Sequence, residues 1–208
     1  MSGLDDAAGL RAEDLLADPV EQFRAWFAGA QEAGTNVPET MVLATASAEG
    51  APSARAVLLK GVDERGFVFF TSYESRKAGE LAENPRAALV FLWSPTGRQV
   101  RVEGDVARLP TAESEAYFRT RPFGSRVGAA ASPQSAVVPG RETFEARVAE
   151  LEAEYAGRED ELPLPSTWGG FRLAPVSIEF WQHRENRLHD RFRYRRANGG
   201  WTIERLAP

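Results

Sequence analysis

The residues best suited to chemistry lie in one arginine-rich stretch, WQHRENRLHDRFRYRR, which spans residues 181–196. It holds six arginines and both histidines of a chain whose formal net charge is −5. Such a cluster predicts an anionic partner, which could be nucleic acid, a membrane surface, a protein or a small phosphorylated molecule. If residues 187–196 form a strand, alternate side chains share one face. That face would carry Arg187, His189, Arg191, Arg193 and Arg195.

The first three of these residues follow the apolar run IEFW and should lie near the core, where unpaired charge is costly. We therefore expect Arg187, His189 and Arg191 to need a bound partner. The remaining arginines lie beside a turn, where strands usually emerge into water, and we expect them to be solvated.

The two lysines are a second signal, because the chain has 25 basic residues and only Lys60 and Lys77 are lysine. Lys77 follows Arg76 in the first turn of a helix that Ser75 can cap, where cations oppose the helix dipole. Free backbone N–H groups at that helix end favour an anion, and we expect a phosphate there. Lys60 ends the apolar strand RAVLLK, which begins at Arg55; snorkelling cations at strand ends explain this pattern equally well.

Weaker signals come from side chains that could hold a heterocycle or a second phosphate. Gln99 and the pair Gln134–Ser135 could bind ring carbonyls and nitrogens, although such residues more commonly cap loops. Tyr117, Arg121 and Ser125 lie near the end of a short predicted helix and could clamp a second phosphate. Their spacing alone does not establish that site.

Composition argues against several other classes of protein. The chain has 30 acidic and 25 basic residues, whereas a nucleic-acid binder is more often basic overall. It has no cysteine, which removes disulfides, thiolate metal sites and cysteine nucleophiles, and we predict no metal site. No apolar run is long enough to span a bilayer, and the first residues do not resemble a secretory signal. We expect a cytoplasmic protein that binds no membrane.

The elements that must position these residues follow from periodicity and turn signals. Helices are predicted over residues 19–34, 75–84, 111–121 and 141–160. Strands are predicted over residues 41–47, 51–62, 67–72, 86–94, 98–109, 177–184, 187–196 and 201–206. Residues 121–140, rich in Gly, Ser, Ala and Pro, are predicted to be irregular. Together these elements predict an antiparallel barrel of about six to eight strands with peripheral helices, in the mainly β or α+β class.

Two further expectations concern organisation. Residues 1–18 are predicted to be a polar, partly disordered arm, and residues 19–208 a single domain. On the helix over residues 141–160, one face should pack against the rest of the chain. Its members are Phe144, Val148, Leu151 and Tyr155.

The chain resembles the pyridoxamine 5′-phosphate oxidase family, also called the pyridoxine 5′-phosphate oxidases, over roughly residues 11–208. The resemblance is carried by RAVLLK, FFTSYESRKA, RQVRVEG, YFRTRPFGS, SPQS, WGGFRLAPVSIEFWQ, NRLHDRF and GGWTIERLAP. NRLHDRF together with the terminal RLAP is typical of the true oxidases. RAVLLK alone would indicate only the wider group of flavin-binding split barrels.

The resemblance implies a Greek-key-like split β-barrel and a homodimer that binds one FMN per subunit in sites built across the interface. The residues it assigns to FMN are Arg55, Ala56, Val57, Leu58, Leu59, Lys60, Phe70, Thr71, Arg76, Lys77, Gln99, Gln134, Ser135, Trp181 and Arg191. Those it assigns to the substrate are Lys60, Tyr117, Arg121, Ser125, Arg187, Leu188 and His189. Arg187 and His189 would be catalytic. The implied reaction oxidises pyridoxamine or pyridoxine 5′-phosphate to pyridoxal 5′-phosphate while O2 becomes H2O2.

Some positions depart from the family's usual pattern. Phe70 stands where tyrosine is common, which would remove a hydroxyl contact to FMN. Phe123 and Ala130 stand where arginine and tryptophan are often found, which would loosen the loop over the substrate. Residues 183–185, His-Arg-Glu, replace a smaller segment that usually contains glycine.

Three alternatives stay open at this stage. One is another flavin or deazaflavin oxidoreductase on the same barrel, such as an oxidase of phenazine assembly; the NRLHDR motif and Arg121 argue against it. A second is a non-catalytic carrier or sensor of FMN or pyridoxal phosphate, which the intact Lys60, Arg187 and His189 argue against. The third is nucleic-acid binding through the arginine-rich strand, which the acidic net charge argues against.

Overall fold

The computed structural model describes residues 9–208, which form a nine-stranded antiparallel sheet with five α-helices. The strands are β1 (Thr40–Ala46), β2 (Pro52–Leu58), β3 (Gly61–Asp63), β4 (Gly66–Ser72), β5 (Arg86–Trp93), β6 (Arg98–Arg108), β7 (Trp168–Gln182), β8 (Asp190–Ala197) and β9 (Gly200–Arg205). The helices are α1 (Pro19–Glu32), α2 (Arg76–Glu83), α3 (Thr111–Thr120), α4 (Phe123–Ala131) and α5 (Glu142–Glu154). The strand order is β2-β1-β5-β6-β7-β4-β3, and β8 and β9 continue from β7. The predicted antiparallel, mainly β fold with peripheral helices is confirmed.

Strand β7 connects the two parts of the barrel, because its two halves pair with different partners. Residues 168–173 pair with β4, whereas residues 177–182 pair with β8. The strand is therefore longer than the predicted 177–184. Strand β6 runs beside most of β7, and their register shifts between Glu103 and Gly104. Such an irregularity bends a strand locally and increases its twist.

Helix α1 fills the interior of the barrel with aromatic side chains. It begins after Asp18, whose carboxylate caps it by accepting a hydrogen bond from the amide of Val20 (2.7 Å). The buried ring of Phe23 lies 4.9 Å from the rings of Phe67 on β4 and Phe91 on β5. Burying one such side chain stabilises a fold by about 1.5–3 kcal/mol. Because β4 and β5 lie on different sides of β7, this helix ties the two parts of the barrel together.

A second apolar cluster packs α3, α4 and α5 against the start of β7. Phe118 and Trp168 are buried within it. Helix α5 contributes buried Leu151 and partly buried Val148, and Tyr155 packs beside them directly after the helix, as their spacing predicted. Phe144, the fourth residue of the predicted face, is not part of this cluster. This cluster forms the outer wall of the cavity described below.

Residues 121–140, predicted to be irregular, contain helix α4. The prediction was wrong because the glycines and serines of this segment outweighed its three consecutive alanines at 129–131, although alanine has the highest helix propensity. Burial of Val127 in the second apolar cluster stabilises the helix. Residues 132–140 have neither helix nor strand.

The strand predicted over residues 51–62 is interrupted. It ends at Leu58, and the short strand β3 begins at Gly61. The interruption lies at Leu59 and Lys60, where the amide of Lys60 donates to the carbonyl of Val68 on β4 (2.8 Å). The chain there leaves the edge of β1 and joins the edge of β4.

The strand predicted from Arg187 begins three residues later, at Asp190. Asn186 and Arg187 have φ values of 55° and 63°, in the left-handed region that interrupts a strand. Arg187 and His189 therefore precede β8 and do not alternate with Arg191 along it. Our expectation that Arg187 lies near the core is wrong, because this turn leaves it exposed.

Part of the predicted N-terminal arm packs on the barrel, while the first eight residues lie outside the described part of the chain. Leu10 is buried, and its amide donates to the carboxylate of Asp190 (3.1 Å). The carbonyl of Leu16 accepts a hydrogen bond from the hydroxyl of Tyr194 (2.7 Å). In residues 9–208, no helix is both long and apolar enough to cross a membrane.

Replacing Gly104 by alanine should destabilise the protein, because the added Cβ would lie 2.1 Å from the backbone carbonyl oxygen of Ala174. Neither strand can move away without disturbing the pairing of β6 with β7. We expect the free energy of unfolding to fall by about 1–3 kcal/mol or more. Urea unfolding at one fixed protein concentration measures this change.

Gly79→Ala is the matched control, because nothing lies within 4 Å of the added Cβ. Gly79 lies in α2, where alanine has the higher helix propensity, so stability should stay the same or rise by up to about 1 kcal/mol. Wild-type stability in Gly104→Ala would contradict the close approach of the two strands.

Candidate active site

A first group of predicted site residues surrounds the start of helix α2. The ammonium group of Lys77 donates to the hydroxyl of Thr71 (2.9 Å) and to the side-chain oxygen of Gln134 (3.1 Å). Thr71 donates to the same oxygen of Gln134 (2.8 Å). The hydroxyl of Ser135 accepts a hydrogen bond from the backbone amide of Arg76 (3.2 Å). The structure thus brings together five residues, from β4, α2 and the 132–140 segment, that were predicted to bind one ligand.

Arg55 joins this group through Glu80, which the sequence analysis missed. Arg55 Nη2 lies 3.3 Å from Glu80 Oε2, and Arg76 Nε lies 2.8 Å from Glu80 Oε1. The hydroxyls of Thr45 (2.5 Å) and Ser53 (2.6 Å) also donate to Glu80 Oε2. Burial would raise the pKa of Glu80, but these hydrogen bonds lower it to about 2. The i,i+4 spacing of Arg76 and Glu80 could have indicated this pair.

Lys77 lies among positive charges that are only partly compensated. Its side chain is 8% exposed. Burial, together with the nearby Arg55, lowers the pKa of Lys77 from 10.5 to about 8, while Glu80 acts in the opposite direction. A bound anion would favour the charged form of Lys77. The group is therefore suited to a phosphate at the N-terminus of α2.

Ser75 occupies the predicted N-cap position but does not cap α2 with its side chain. Its hydroxyl donates instead to the carbonyl of Ser72 (2.7 Å). The hydroxyl of Ser135 serves as the cap instead, because it accepts a hydrogen bond from the first backbone amide of the helix. A loop far away in sequence thus closes the helix end, which local sequence signals cannot reveal.

A cavity of about 430 Å³ extends from this group to helices α3 and α4. Its wall contains all four residues predicted to hold a second phosphate, Lys60, Tyr117, Arg121 and Ser125. Lys60 was also predicted for the first ligand, and the wall contains four further residues of that set: Leu58, Phe70, Thr71 and Gln134. The two predicted binding sites therefore share one cavity.

Arg121 is well placed to hold an anion in this cavity. Its guanidinium group lies 4.7 Å from the ring centroid of Trp168, and its buried Nη1 has no hydrogen-bond partner in the described part of the chain. Burial lowers the pKa of Arg121, while Tyr117 acts in the opposite direction. A buried donor without a partner is costly, and a phosphate oxygen would satisfy it.

Aromatic rings form another part of the cavity wall. The ring centroid of Phe70 lies 4.0 Å from that of Tyr117 and 5.3 Å from that of Trp168, with nearly parallel planes. Because phenylalanine has no hydroxyl, Phe70 presents only an apolar ring here, where the resembled family commonly has tyrosine. Trp168 lines the cavity but was not predicted as a site residue.

A second group of predicted site residues lies across strands β6, β7 and β8. Gln99 pairs with Trp181, and Trp181 pairs with Arg191, so the three are direct neighbours in the sheet. Arg191 is held by Glu179 (2.8 Å) and by the carbonyl of Ala207 (2.9 Å). Sheet pairing therefore brings these three predicted residues together.

The turn before β8 adds a pocket of about 610 Å³ beside this row of residues. Its wall contains Trp181, His183, Arg187 and His189. The ring centroid of His189 lies 4.5 Å from that of Trp181 and 5.3 Å from that of His183. The left-handed conformation of Arg187 is costly for a residue with a side chain, and such strain is concentrated at functional sites.

His189 has a defined hydrogen-bond pattern. Its Nδ1 accepts a hydrogen bond from the backbone amide of Arg184 (3.1 Å), so the neutral ring carries its proton on Nε2. Burial, His183 and Arg187 all lower the pKa of His189. The neutral ring is therefore favoured near neutral pH.

The remaining assigned residues differ in their access to these cavities. Leu59 is buried in the core, Val57 packs against the core and Ala56 is exposed. Leu188 is 68% exposed.

Within residues 9–208, no side chain lines both the 430 Å³ and the 610 Å³ cavity. A single chain therefore has two separate groups of predicted site residues.

The arginines expected to be solvated have local partners. Arg193 lies 2.6 Å and Arg195 3.8 Å from carboxylate oxygens of Glu204. Arg196 lies over the ring of Trp201, 4.6 Å from its centroid. These contacts account for the outer part of the arginine-rich stretch without a ligand.

Two family models match the chain along most of its length. Residues 13–155 match the pyridoxamine 5′-phosphate oxidase model, and residues 168–208 match the pyridoxine 5′-phosphate oxidase C-terminal dimerisation region. The chain is 57% identical to a pyridoxine/pyridoxamine 5′-phosphate oxidase of Salinibacter ruber, covering 97% of this chain and 94% of that protein. It is 54% identical to one of Rubrobacter xylanophilus, covering 97% and 92%.

Two solved structures have closely related folds. PhzG from Burkholderia lata, in complex with tetrahydrophenazine-1-carboxylic acid, has a TM-score of 0.91 and 32% identity, with complete coverage of both chains. A pyridoxamine 5′-phosphate oxidase-related, FMN binding protein of Nostoc punctiforme has a TM-score of 0.74 over 93% of this chain and 100% of its own; at 18% identity this likeness concerns the fold.

The fold and these matches define an oxidoreductase with the split-barrel fold. The chain belongs to the pyridoxamine 5′-phosphate oxidase family. The resemblance seen in the sequence is thereby confirmed.

Replacing Arg187 by glutamine should raise the pKa of His189, because a positive charge that disfavours protonation of the ring is removed. The chain has two histidines, so NMR titration of the two ring signals measures the change directly once a His183→Asn variant has assigned them. Arg195→Gln is the control, because Arg195 faces Glu204 rather than the imidazole. A pKa that is unchanged or lower in Arg187→Gln would contradict the electrostatic contact.

Proposed function

We propose that this protein is a pyridoxamine 5′-phosphate oxidase that binds FMN. It oxidises pyridoxamine 5′-phosphate, with water and O2, to pyridoxal 5′-phosphate, ammonia and H2O2; pyridoxine 5′-phosphate gives the aldehyde and H2O2 without ammonia. Each reaction moves two electrons from the substrate to O2. The observation that carries the proposal is the shared cavity. On each side of it lies a group of cationic side chains that could bind a phosphate.

The residues around α2 fit the phosphate of FMN. Lys77, Arg76 and Arg55 supply cations, and the positive end of the helix dipole adds to them. The lowered pKa of Lys77 supports this assignment, because positive charge there is incompletely balanced. Bound FMN would supply the two-electron acceptor that no side chain can provide.

The substrate phosphate fits the other side of the cavity. Lys60, Tyr117, Arg121 and Ser125 line it together, and the unpartnered Nη1 of Arg121 offers a donor. Charge-assisted hydrogen bonds of this kind are strong and geometrically specific. They would hold the reacting carbon in position, which is a large part of what such a protein contributes to rate.

Arg187 and His189 are proposed to orient the pyridine ring of the substrate. The tautomer of His189 leaves its Nε2–H as a donor, since Nδ1 already accepts from the backbone. Arg187 adds a fixed positive charge in the same pocket. Together they would bind the polar edge of the ring and assist proton movement there.

A homodimer with shared sites follows from the separation of the two groups. Trp168 in the cavity is the first residue of β7, and Trp181 in the second group is its fourteenth. At about 3.3 Å per residue, they lie up to roughly 40 Å apart along it. A second copy of the chain would supply the missing half, and the match of residues 168–208 to a dimerisation region supports this arrangement.

An oxidase of the PhzG kind is the second candidate, because that structure covers the whole chain with a TM-score of 0.91. The higher identity to pyridoxine/pyridoxamine 5′-phosphate oxidases, 57% against 32%, favours the first. So does the cationic side of the cavity at Arg121, which suits a phosphate. A cytoplasmic location remains a prediction of the sequence.

Replacing Arg121 by alanine should lower kcat/KM for pyridoxamine 5′-phosphate by about 10- to 100-fold, since a charge-assisted hydrogen bond is worth about 1.5–3 kcal/mol. Activity with unphosphorylated pyridoxamine should be unaffected. Arg119→Ala is the matched control, because Arg119 lies only two residues earlier, on α3, but pairs with Glu115 at the surface. Equal losses with both substrates would argue against a phosphate contact of Arg121.

Mixed dimers test the shared site. Arg187→Ala and Arg121→Ala should each bind FMN and lose most turnover when alone, because each damages every site. When the two are coexpressed in equal amounts, half of the dimers are mixed and each mixed dimer has one intact site. About a quarter of wild-type activity should return.

The pair Arg121→Ala and Lys60→Ala is the control for this experiment. Both residues line the same cavity, so a mixed dimer has no intact site and activity should not return. Recovery in this control, or its absence in the first pair, would contradict a site built from two chains.

A further inference from the structure

Glu80 is a buried carboxylate inside a group of cations that suits an anion. Its side chain is 8% exposed and accepts hydrogen bonds from two arginines and two hydroxyl groups. These donors come from β1, β2 and α2, so the carboxylate is held from several sides. A carboxylate at this position would repel a phosphate, and its presence needs a physical reason.

The charges of this group provide one reason. Arg55, Arg76 and Lys77 contribute three positive charges and Glu80 removes one, which leaves two. A phosphate monoester carries about −1.5 to −2 charges at neutral pH, so one phosphate would neutralise the group. Because the pKa of Glu80 is lowered to about 2, its carboxylate stays negatively charged near neutral pH.

The flavin-free protein provides the second reason. Without Glu80 it would hold three neighbouring cations with no anion between them. Lys77 is 8% exposed and the side chain of Arg55 is 21% exposed, so water would compensate these two charges poorly. Removing one partner of a buried ion pair is strongly destabilising because the other charge stays buried.

We propose that Glu80 is a built-in counter-anion of the flavin phosphate site. It neutralises Arg55 and Arg76 while no flavin is bound, and it thereby limits how strongly the protein prefers a phosphorylated flavin. This inference rests on the proposed function, since it takes the phosphate of FMN to bind beside these residues. It predicts that Glu80 stabilises the flavin-free protein at the expense of phosphate affinity.

Glu80→Gln tests the inference, because it removes the charge and keeps the shape. Flavin-stripped full-length protein is titrated with FMN and with riboflavin, which lacks the phosphate, and binding is followed by quenching of flavin fluorescence at several NaCl concentrations. The FMN-to-riboflavin affinity ratio should rise by roughly tenfold at low salt and decline more steeply with salt than in wild type. The unfolding temperature of the flavin-free variant should fall by about 5 °C or more.

Glu83→Gln is the matched control. Glu83 lies on the same helix and is exposed, so its substitution changes the net charge equally without touching the cation group. Both the affinity ratio and the unfolding temperature should match those of wild type. Glu80→Asp retains the charge, and its affinity ratio should stay near the wild-type value.

The outcomes separate this inference from the proposed function. If wild type prefers FMN to riboflavin but Glu80→Gln leaves that ratio unchanged or lowers it, the counter-anion role is wrong and the proposed function stands. If wild type binds neither flavin, or binds both equally, the proposed FMN site itself is wrong. If flavin-free Glu80→Gln does not stay folded, the release of FMN from its holoprotein is measured after dilution. Slower release than from wild type supports the inference, and faster release overturns it.

Discussion

The pairing of β7 on both sides is the constraint on which the rest of the structure depends. One half of this strand joins β4 and the other joins β8, while β6 runs beside both. The close approach of β6 to β7 at Gly104 leaves no room for a side chain. Because Trp168 and Trp181 lie near opposite ends of this one strand, the two groups of site residues are held apart within the chain. The same strand that builds the barrel thus makes a second subunit necessary for the proposed site.

The chain is acidic overall, yet its proposed chemistry depends on clustered cations. Individual carboxylates form ion pairs with several of these cations. Glu80 holds Arg55 and Arg76, and the buried Glu179 holds Arg191 and Arg101. Such pairs hold each guanidinium group in one orientation, and each carboxylate offsets part of the local positive charge. Arg121 differs from these residues, because its buried Nη1 lacks a partner among the described residues. It lines the cavity, where a ligand could complete its hydrogen bonds.

Local signals predicted most elements of the barrel and many residues of the first group. The alternation of apolar residues indicated the strands, and Lys77 beside Arg76 indicated an anion site. Errors occurred where long-range packing decides the conformation. Helix α4 is stabilised by burial of Val127 in a cluster drawn from three helices, which glycine-rich composition concealed. The turn at Asn186 and Arg187 adopts left-handed conformations that an alternating strand pattern cannot reveal, so the face predicted for Arg187 and His189 was wrong.

The sequence by itself determined which residue types were present for the chemistry and which family they resemble, because short motifs such as NRLHDRF and SRKA consist of consecutive residues and need no folded structure to be recognised. It also determined the class of fold, since strand and helix periodicity are local properties. The tertiary structure decided which of those residues meet. Gln134 reaches Lys77 from 57 positions away, and Gln99 reaches Trp181 through the pairing of β6 with β7. Such contacts depend on register, burial and the bend of one strand, which are properties of the folded chain as a whole.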